Sequence, residues 1–239
     1  GAIISMDGLR QGISDRPPFD IANLPLPIIS KDWSISAREL ATSRNGGTPL
    51  DTTMAELAGR KVAEEVEKLA LGLSDTYTYG GGTIYGLLNT PTALTRVITN
   101  PTAVGWTPAT LINEVLLMRQ QSVNSYYYGP WRIYVSPAWS VYLDDDYSTA
   151  KGDNTLRDRL LKIEGIQGIS TLDYLTGYRV VLCQMTSDVV RMVIGMEITN
   201  VQWDSMGGLQ KHFKTMCILV PQFRADQNSN TGLVIGTAA

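Results

Sequence analysis

From about Thr53 to Leu71 the chain carries one long run patterned as an amphipathic helix, and this run constrains the fold more than any other feature. Met54, Ala58, Val62, Val66 and Leu69 recur at three- and four-residue steps and form one apolar stripe, with Arg60, Glu64, Glu67 and Lys68 off it. Thr53 and Glu56 have capping-box spacing, Glu64 and Lys68 have the favourable i,i+4 order, and Gly72 stands where a left-handed stop belongs. Nineteen residues at about 1.5 Å each make roughly 28 Å of helix. One face is expected to be buried and the other solvated, so the helix can serve as the backbone of a domain.

The chain before this helix has no such period. Residues 1–30 are rich in Gly, Pro and Ile, including Arg16-Pro17-Pro18 and Leu24-Pro25-Leu26-Pro27-Ile28. Proline restricts its own φ and that of the residue before it, so the segment reads as an extended arm. Its apolar residues (Ile21, Leu24, Leu26, Ile28, Ile29) need a surface to lie on, in the same chain or a neighbour. Asp32 to Leu40 then alternates weakly, as a strand would, and Asn45-Gly46-Gly47 is a turn signal. A two-stranded ribbon or long loop is expected, and an isolated ribbon is marginal in water unless it leans on a partner surface.

Beyond the helix, Thr107-Pro108 opens a second one, with Leu111, Ile112, Val115, Leu116 and Val123 as its core face and Tyr126-Tyr127-Tyr128-Gly129-Pro130 ending it. Trp131 to Ser136 reads as a strand, Pro137 to Leu143 as a short helix, and Leu156 to Ile163 as a third helix. Strands are expected at about 178–186, 189–203 and 211–225, with a last apolar segment at Leu233-Val234-Ile235. Helices mostly precede a strand-rich carboxy-terminal half, so the class is α+β and not a parallel wound sheet.

Composition removes several functions. Twenty Lys+Arg against 23 Asp+Glu leave a net charge of -3, without the basic excess of a dedicated nucleic-acid reader. Apolar residues at 44% suffice for a packed core, and no run of about 18 apolar residues offers a membrane helix. The chain opens on Gly1, not Met, so its natural start is expected to have been removed. Cys183 and Cys217 fit no zinc spacing and read as buried thiols of a reducing compartment.

Catalytic chemistry finds little to use. His212 is the sole histidine, so any Ser-His-Asp or Cys-His arrangement must include it, and no Gly-x-Ser-x-Gly elbow accompanies it. Zinc sites built on two histidines are impossible. Asp144-Asp145-Asp146 is the densest acidic cluster, but consecutive side chains diverge and EF-hand spacing is missing, so it reads as a solvated turn closing a short helix. Gly80-Gly81-Gly82 lacks the Lys-Ser/Thr of a phosphate loop and reads as a flexible connector. No catalytic, cofactor-binding or metal-ligating set emerges, and the chain is read as a non-enzyme without cofactor.

Several segments together resemble a known family. Ile28-Ile29-Ser30-Lys31-Asp32-Trp33, Ser36-Ala37-Arg38-Glu39-Leu40 and Pro49-Leu50-Asp51-Thr52 look like HK97-type tailed-phage major capsid proteins and the related encapsulin shells. So do Tyr134-Val135-Ser136-Pro137-Ala138-Trp139 and Leu160 to Ile166. The resemblance implies an HK97-like capsid fold: residues 1–15 an N-terminal arm, 16–52 an extended loop, 53–105 a peripheral domain with the long helix as its spine, 106–189 an axial domain, and 190–239 the return to the peripheral domain. It also implies a structural protein that assembles with itself, through pentamers and hexamers, into an icosahedral shell. That shell would enclose double-stranded viral DNA by weak non-specific contact. Portal, scaffolding or decoration proteins would be further partners, no membrane would be involved, and the place would be the virion, assembled in the host cytoplasm. Trp33, Ile35, Arg38 and Arg44 are the expected inter-subunit contacts, against the alternative that they pack within their own chain. Two other functions stay open: an encapsulin-like nanocompartment enclosing cargo protein, and a carboxylate-dependent hydrolase built on Asp144–Asp146.

Overall fold

The computed structural model describes residues 23–46, 52–74, 77–148 and 154–238. The expected arm over residues 1–15, most of the Pro49-Leu50-Asp51-Thr52 segment and the last glycine of Asn45-Gly46-Gly47 lie outside these residues.

The long helix, α2 (Thr53–Leu71), forms where its periodicity places it. Its cap falls one residue early, at Thr52, whose hydroxyl donates to the Glu56 carboxylate at 3.5 Å. Thr53 and Glu56 therefore sit as the first and fourth helical residues and not as cap and third residue. The expected Glu64–Lys68 pair is also replaced. Glu64 is taken by Lys61 at 2.7 Å and Arg60 at 3.1 Å, which hold its carboxyl below the usual range, and Lys68 turns to Glu65 at 3.6 Å. The stop at Gly72 is as expected: φ is 76°, and the next N–H, of Leu73, reaches back to the Lys68 carbonyl at 2.9 Å. Gly86 packs so closely on this cap that a Cβ there would lie 2.0 Å from the Gly72 nitrogen.

Helix α2 lies on a three-stranded antiparallel sheet of order β1-β9-β8, made of β1 (Ile28–Ser36), β8 (Val190–Ser205) and β9 (Gln210–Phe223). The ribbon expected around residues 31–50 is corrected here. After Ser36 the chain becomes helix α1 (Ala37–Arg44), and β1 pairs with β9, with Trp33 opposite Phe213. The reason is local. Ser36 and Glu39 close a complete capping box, each side chain and backbone N–H pair at 3.2 Å, in front of good helix formers Ala37, Arg38 and Leu40.

A second, five-stranded sheet has the order β4-β10-β7-β5-β6: β4 (Leu94–Ile98), β5 (Trp131–Val135), β6 (Ile166–Thr171), β7 (Arg179–Gln184) and β10 (Leu233–Ala238). It is parallel at β4/β10 and β5/β6 and antiparallel at its centre, a mixed sheet that agrees with the α+β class. Strands β4 and β6 were not foreseen. Arg96 and Gly168 spoil their patterns, and a neighbouring ladder is what makes them strands.

One face of this sheet is covered by α3 (Pro108–Asn124), α4 (Ser140–Leu143) and α5 (Leu156–Leu161). Leu111, Val115, Met118, Trp131, Ile133, Trp139, Leu143, Leu160 and Leu182 are buried there. The Trp131 indole N–H donates to Ser122 Oγ at 3.0 Å, and Trp106, Trp139, Tyr142 and Tyr178 pack edge to face. The other face carries Leu71, Leu87, Val181, Cys183, Leu233 and Ile235. The Gly80–Gly82 segment is not a flexible connector. Gly80 and Gly81, with φ of 59° and 80°, form the tight turn between β2 (Thr78–Tyr79) and β3 (Gly82–Thr83), a turn that needs left-handed backbone.

Candidate assembly surface

Among the described residues the β8–β9 hairpin has the longest strands, paired from Val190 opposite Phe223 to Ser205 opposite Gln210, with register shifts on either side of Met196. Helix α2 covers a single face of the sheet it belongs to. On that face Thr215 and Cys217 are buried, and Thr215 Oγ donates to Asn200 Oδ1 at 2.6 Å while accepting from Trp33 Nε1 at 3.4 Å. Trp33 stacks on Phe213 with ring centroids 4.1 Å apart, 11° from parallel.

Among the described residues the opposite face and the β8 edge carry no helix. There Trp203 stacks on His212, whose Nε2 lies 2.7 Å from Ser205 Oγ, and Lys214 pairs with Asp32 at 3.4 Å. None of the residues of β8 is buried; Ile194, Ile198, Val201 and Trp203 all stand exposed. At the tip, Met206, Gly207 and Gly208 follow one another with φ of 51°, 67° and 91°. Met206 and Leu209 are 76% and 71% exposed. The Leu209 carbonyl accepts the Ala37 N–H at 2.8 Å, which ties the tip to the start of α1.

The four residues singled out from sequence are not brought together. Trp33 and Ile35 are half-buried on one face of β1, Trp33 against its own chain's Phe213. Arg38 and Arg44 are exposed on α1. The bare β8 face and the hairpin tip were missed. Their signal was present in the sequence: apolar residues alternate at 192, 194, 196 and 198, then change phase to 201 and 203, where the register shifts.

The chemistry-bearing residues are engaged locally. Asp144 accepts from Arg157 at 3.2 Å, the Asp145 carboxylate accepts the Asp146 N–H at 2.9 Å, and Asp146 bridges through its backbone to Thr155. The triplet is a turn closing α4, as expected. His212, on β9, has Ser205 and Trp203 as neighbours, and among the described residues no carboxylate hydrogen-bonds its ring. Among the described residues no group of His, Cys, Asp and Glu is placed to hold a metal, and no helix is long and apolar enough to cross a membrane. Both cysteines are free and buried; burial pushes the Cys183 thiol up to about 12 and raises Cys217 as well.

A model described as a family of unknown function (DUF6260) matches residues 1–236. Among curated proteins none matches by sequence. Solved structures do match. The virus-like particle from Pyrococcus furiosus is similar at 18% identity and a TM-score of 0.65, over 89% of this chain and 77% of that one. The capsid of Myoviridae phage XM1 is 12% identical with a TM-score of 0.71, over 90% and 74%, and the mature capsid of bacteriophage PhiM1 is 8% identical with a TM-score of 0.59, over 96% and 79%. The fold is the HK97-like capsid fold that the sequence resemblance implied.

Proposed function

We propose that this chain, which belongs to the DUF6260 family, is a structural capsid subunit that assembles with itself through pentamers and hexamers into an icosahedral shell around a double-stranded DNA genome. Fold by itself does not assign function. The observation that carries the reading is the unfinished β1-β9-β8 sheet. A long apolar strand at its edge and an apolar tip stay exposed on a chain whose other sheet buries its central strands, and exposed apolar surface of this extent marks an interface. The subunit acts as a building block and not as an enzyme, its place is the virion, and host cytoplasm is where it assembles. Portal, scaffolding or decoration proteins are its further partners.

In this reading residues 1–15 are the arm, 16–52 the loop that reaches a neighbour, 53–105 with 190–239 the peripheral domain, and 106–189 the axial domain. Arg38 and Arg44, exposed on α1, meet neighbouring subunits. Trp33 and Ile35 contribute the part of their surface that their own chain leaves uncovered. A shell enclosing protein cargo is the second reading, favoured by the net charge of -3, which does not suit a lining that grips DNA.

Negative-stain electron microscopy of the purified protein, with the 260/280 nm absorbance ratio of the same fraction, tests this. Closed particles with a nucleic-acid spectrum are the expected result. Closed particles with co-purifying protein and no nucleic acid would favour the cargo shell, and a monodisperse monomer or dimer under all assembly conditions would overturn both.

A further inference from the structure

We infer, building on the shell reading above, that the tip of the β8–β9 hairpin is a knob that seats in the apolar cleft at the base of the same hairpin on a neighbouring copy. The cleft measures about 360 Å³ and opens where the end of α2, the second face of the five-stranded sheet and the hairpin base meet. Leu71, Tyr134, Met185, Met192 and Phe223 line it, and Glu67 and Arg191 stand at its rim. Met185 and Met192 are exposed, and unbranched thioether side chains of this kind adapt to an incoming surface.

The knob has the opposite shape. Met206 and Leu209 project from a turn held in left-handed backbone at three successive residues, the first of which is not glycine. The hydrogen bond from Ala37 to Leu209 fixes that turn to α1. Asp204 and Lys211, ion-paired to each other at 3.0 Å, flank it and present one acid and one base toward Arg191 and Glu67 across the contact.

Knob and cleft cannot meet within one chain. The sixteen residues of β8 separate them by roughly 50 Å at about 3.3 Å per residue. Because two different patches join, the contact is head to tail, the kind that closes into rings when the rotation allows.

The test is the full-length double variant Met206→Cys/Met192→Cys in a Cys183→Ala background, oxidised with diamide under assembly conditions and run on a non-reducing gel. A ladder of covalent multimers is expected from the double variant. The two single variants should stay monomeric alone and give dimers when mixed. No covalent species from the double variant, or dimers from Met206→Cys alone, would overturn the contact. Micrographs of the same samples separate the two readings. Particles without a ladder remove the knob contact and leave the shell; a ladder without closed particles removes the shell and leaves the contact; neither removes both.

Discussion

Strand β7, with Val, Leu and Cys, and strand β8, with Val, Ile and Met, are both rich in apolar residues, yet the two sheets that hold them treat those side chains in opposite ways. Five of the six residues of β7 are buried, whereas none of the sixteen of β8 is. The five-stranded sheet has α3, α4 and α5 on one face and the hairpin base, the end of α2 and the segment around Leu87 on the other. The three-stranded sheet has one helix on one face and a bare edge. Burial thus depends less on what a strand contains than on how many layers the fold places against it. The first sheet holds most of the buried core, and the second keeps an exposed strand at its edge.

Four measurements can break or sharpen this contrast. Trp131→Ala has the largest expected effect on the isolated subunit. It removes a ring that is 2% exposed, bonded to Ser122 and packed against Gly129 and Gly165. A loss of about 3–5 kcal/mol is expected from the shift in urea midpoint; a loss below about 1 kcal/mol would mean that the five-stranded sheet is not the stable half.

The next is a pH dependence. Cys183, on the finished sheet, keeps its proton up to about pH 12, against 9.0 for an ordinary thiol. Below pH 9 folded and unfolded chains are both protonated and nothing changes. Above it the unfolded chain releases the proton first, so stability falls as pH rises, by up to about 1.4 kcal/mol per unit. Comparing wild type with Cys183→Ala between pH 9 and 11 should show the steeper fall in wild type; parallel curves would place this thiol nearer solvent.

On the second sheet, Thr215→Val keeps the shape but strands the Trp33 indole N–H and the Asn200 side chain, for a loss of about 1–3 kcal/mol. Thermal unfolding of the dissociated subunit reads it directly. The smallest effect on the subunit belongs to Ile194→Thr/Ile198→Thr, on exposed β8 positions, at about 0.5 kcal/mol or less for each site. The same double variant should nonetheless reduce the yield of closed particles in electron micrographs. Unchanged particle yield would show that the β8 face is free surface and not an interface.

The long helix was legible because its signals are local: a 3.6-residue period over nineteen residues, a start within one residue of its expected place, and glycine at the left-handed stop. The second helix, with Thr107 and Pro108 at its start, was legible for the same reason. The α1 segment was misread because the Ser36–Glu39 capping box was passed over in favour of a weak alternation. Of the sequence-selected residues, Trp33 packs on Phe213 of its own chain, and neither the bare β8 face nor the hairpin tip was among them.

By itself the sequence determined α2, α3, α5, the positions of the long carboxy-terminal strands and the mixed class, because each follows from neighbours a few residues apart. Only the tertiary structure decided that β1 pairs with β9 nearly two hundred residues away, that β10 inserts between β4 and β7, and that Trp33 spends its ring on Phe213. Strand pairing joins residues whose separation in sequence leaves no periodic trace. Whether an apolar side chain ends buried or bare depends on which layer, from this chain or another, comes to lie against it.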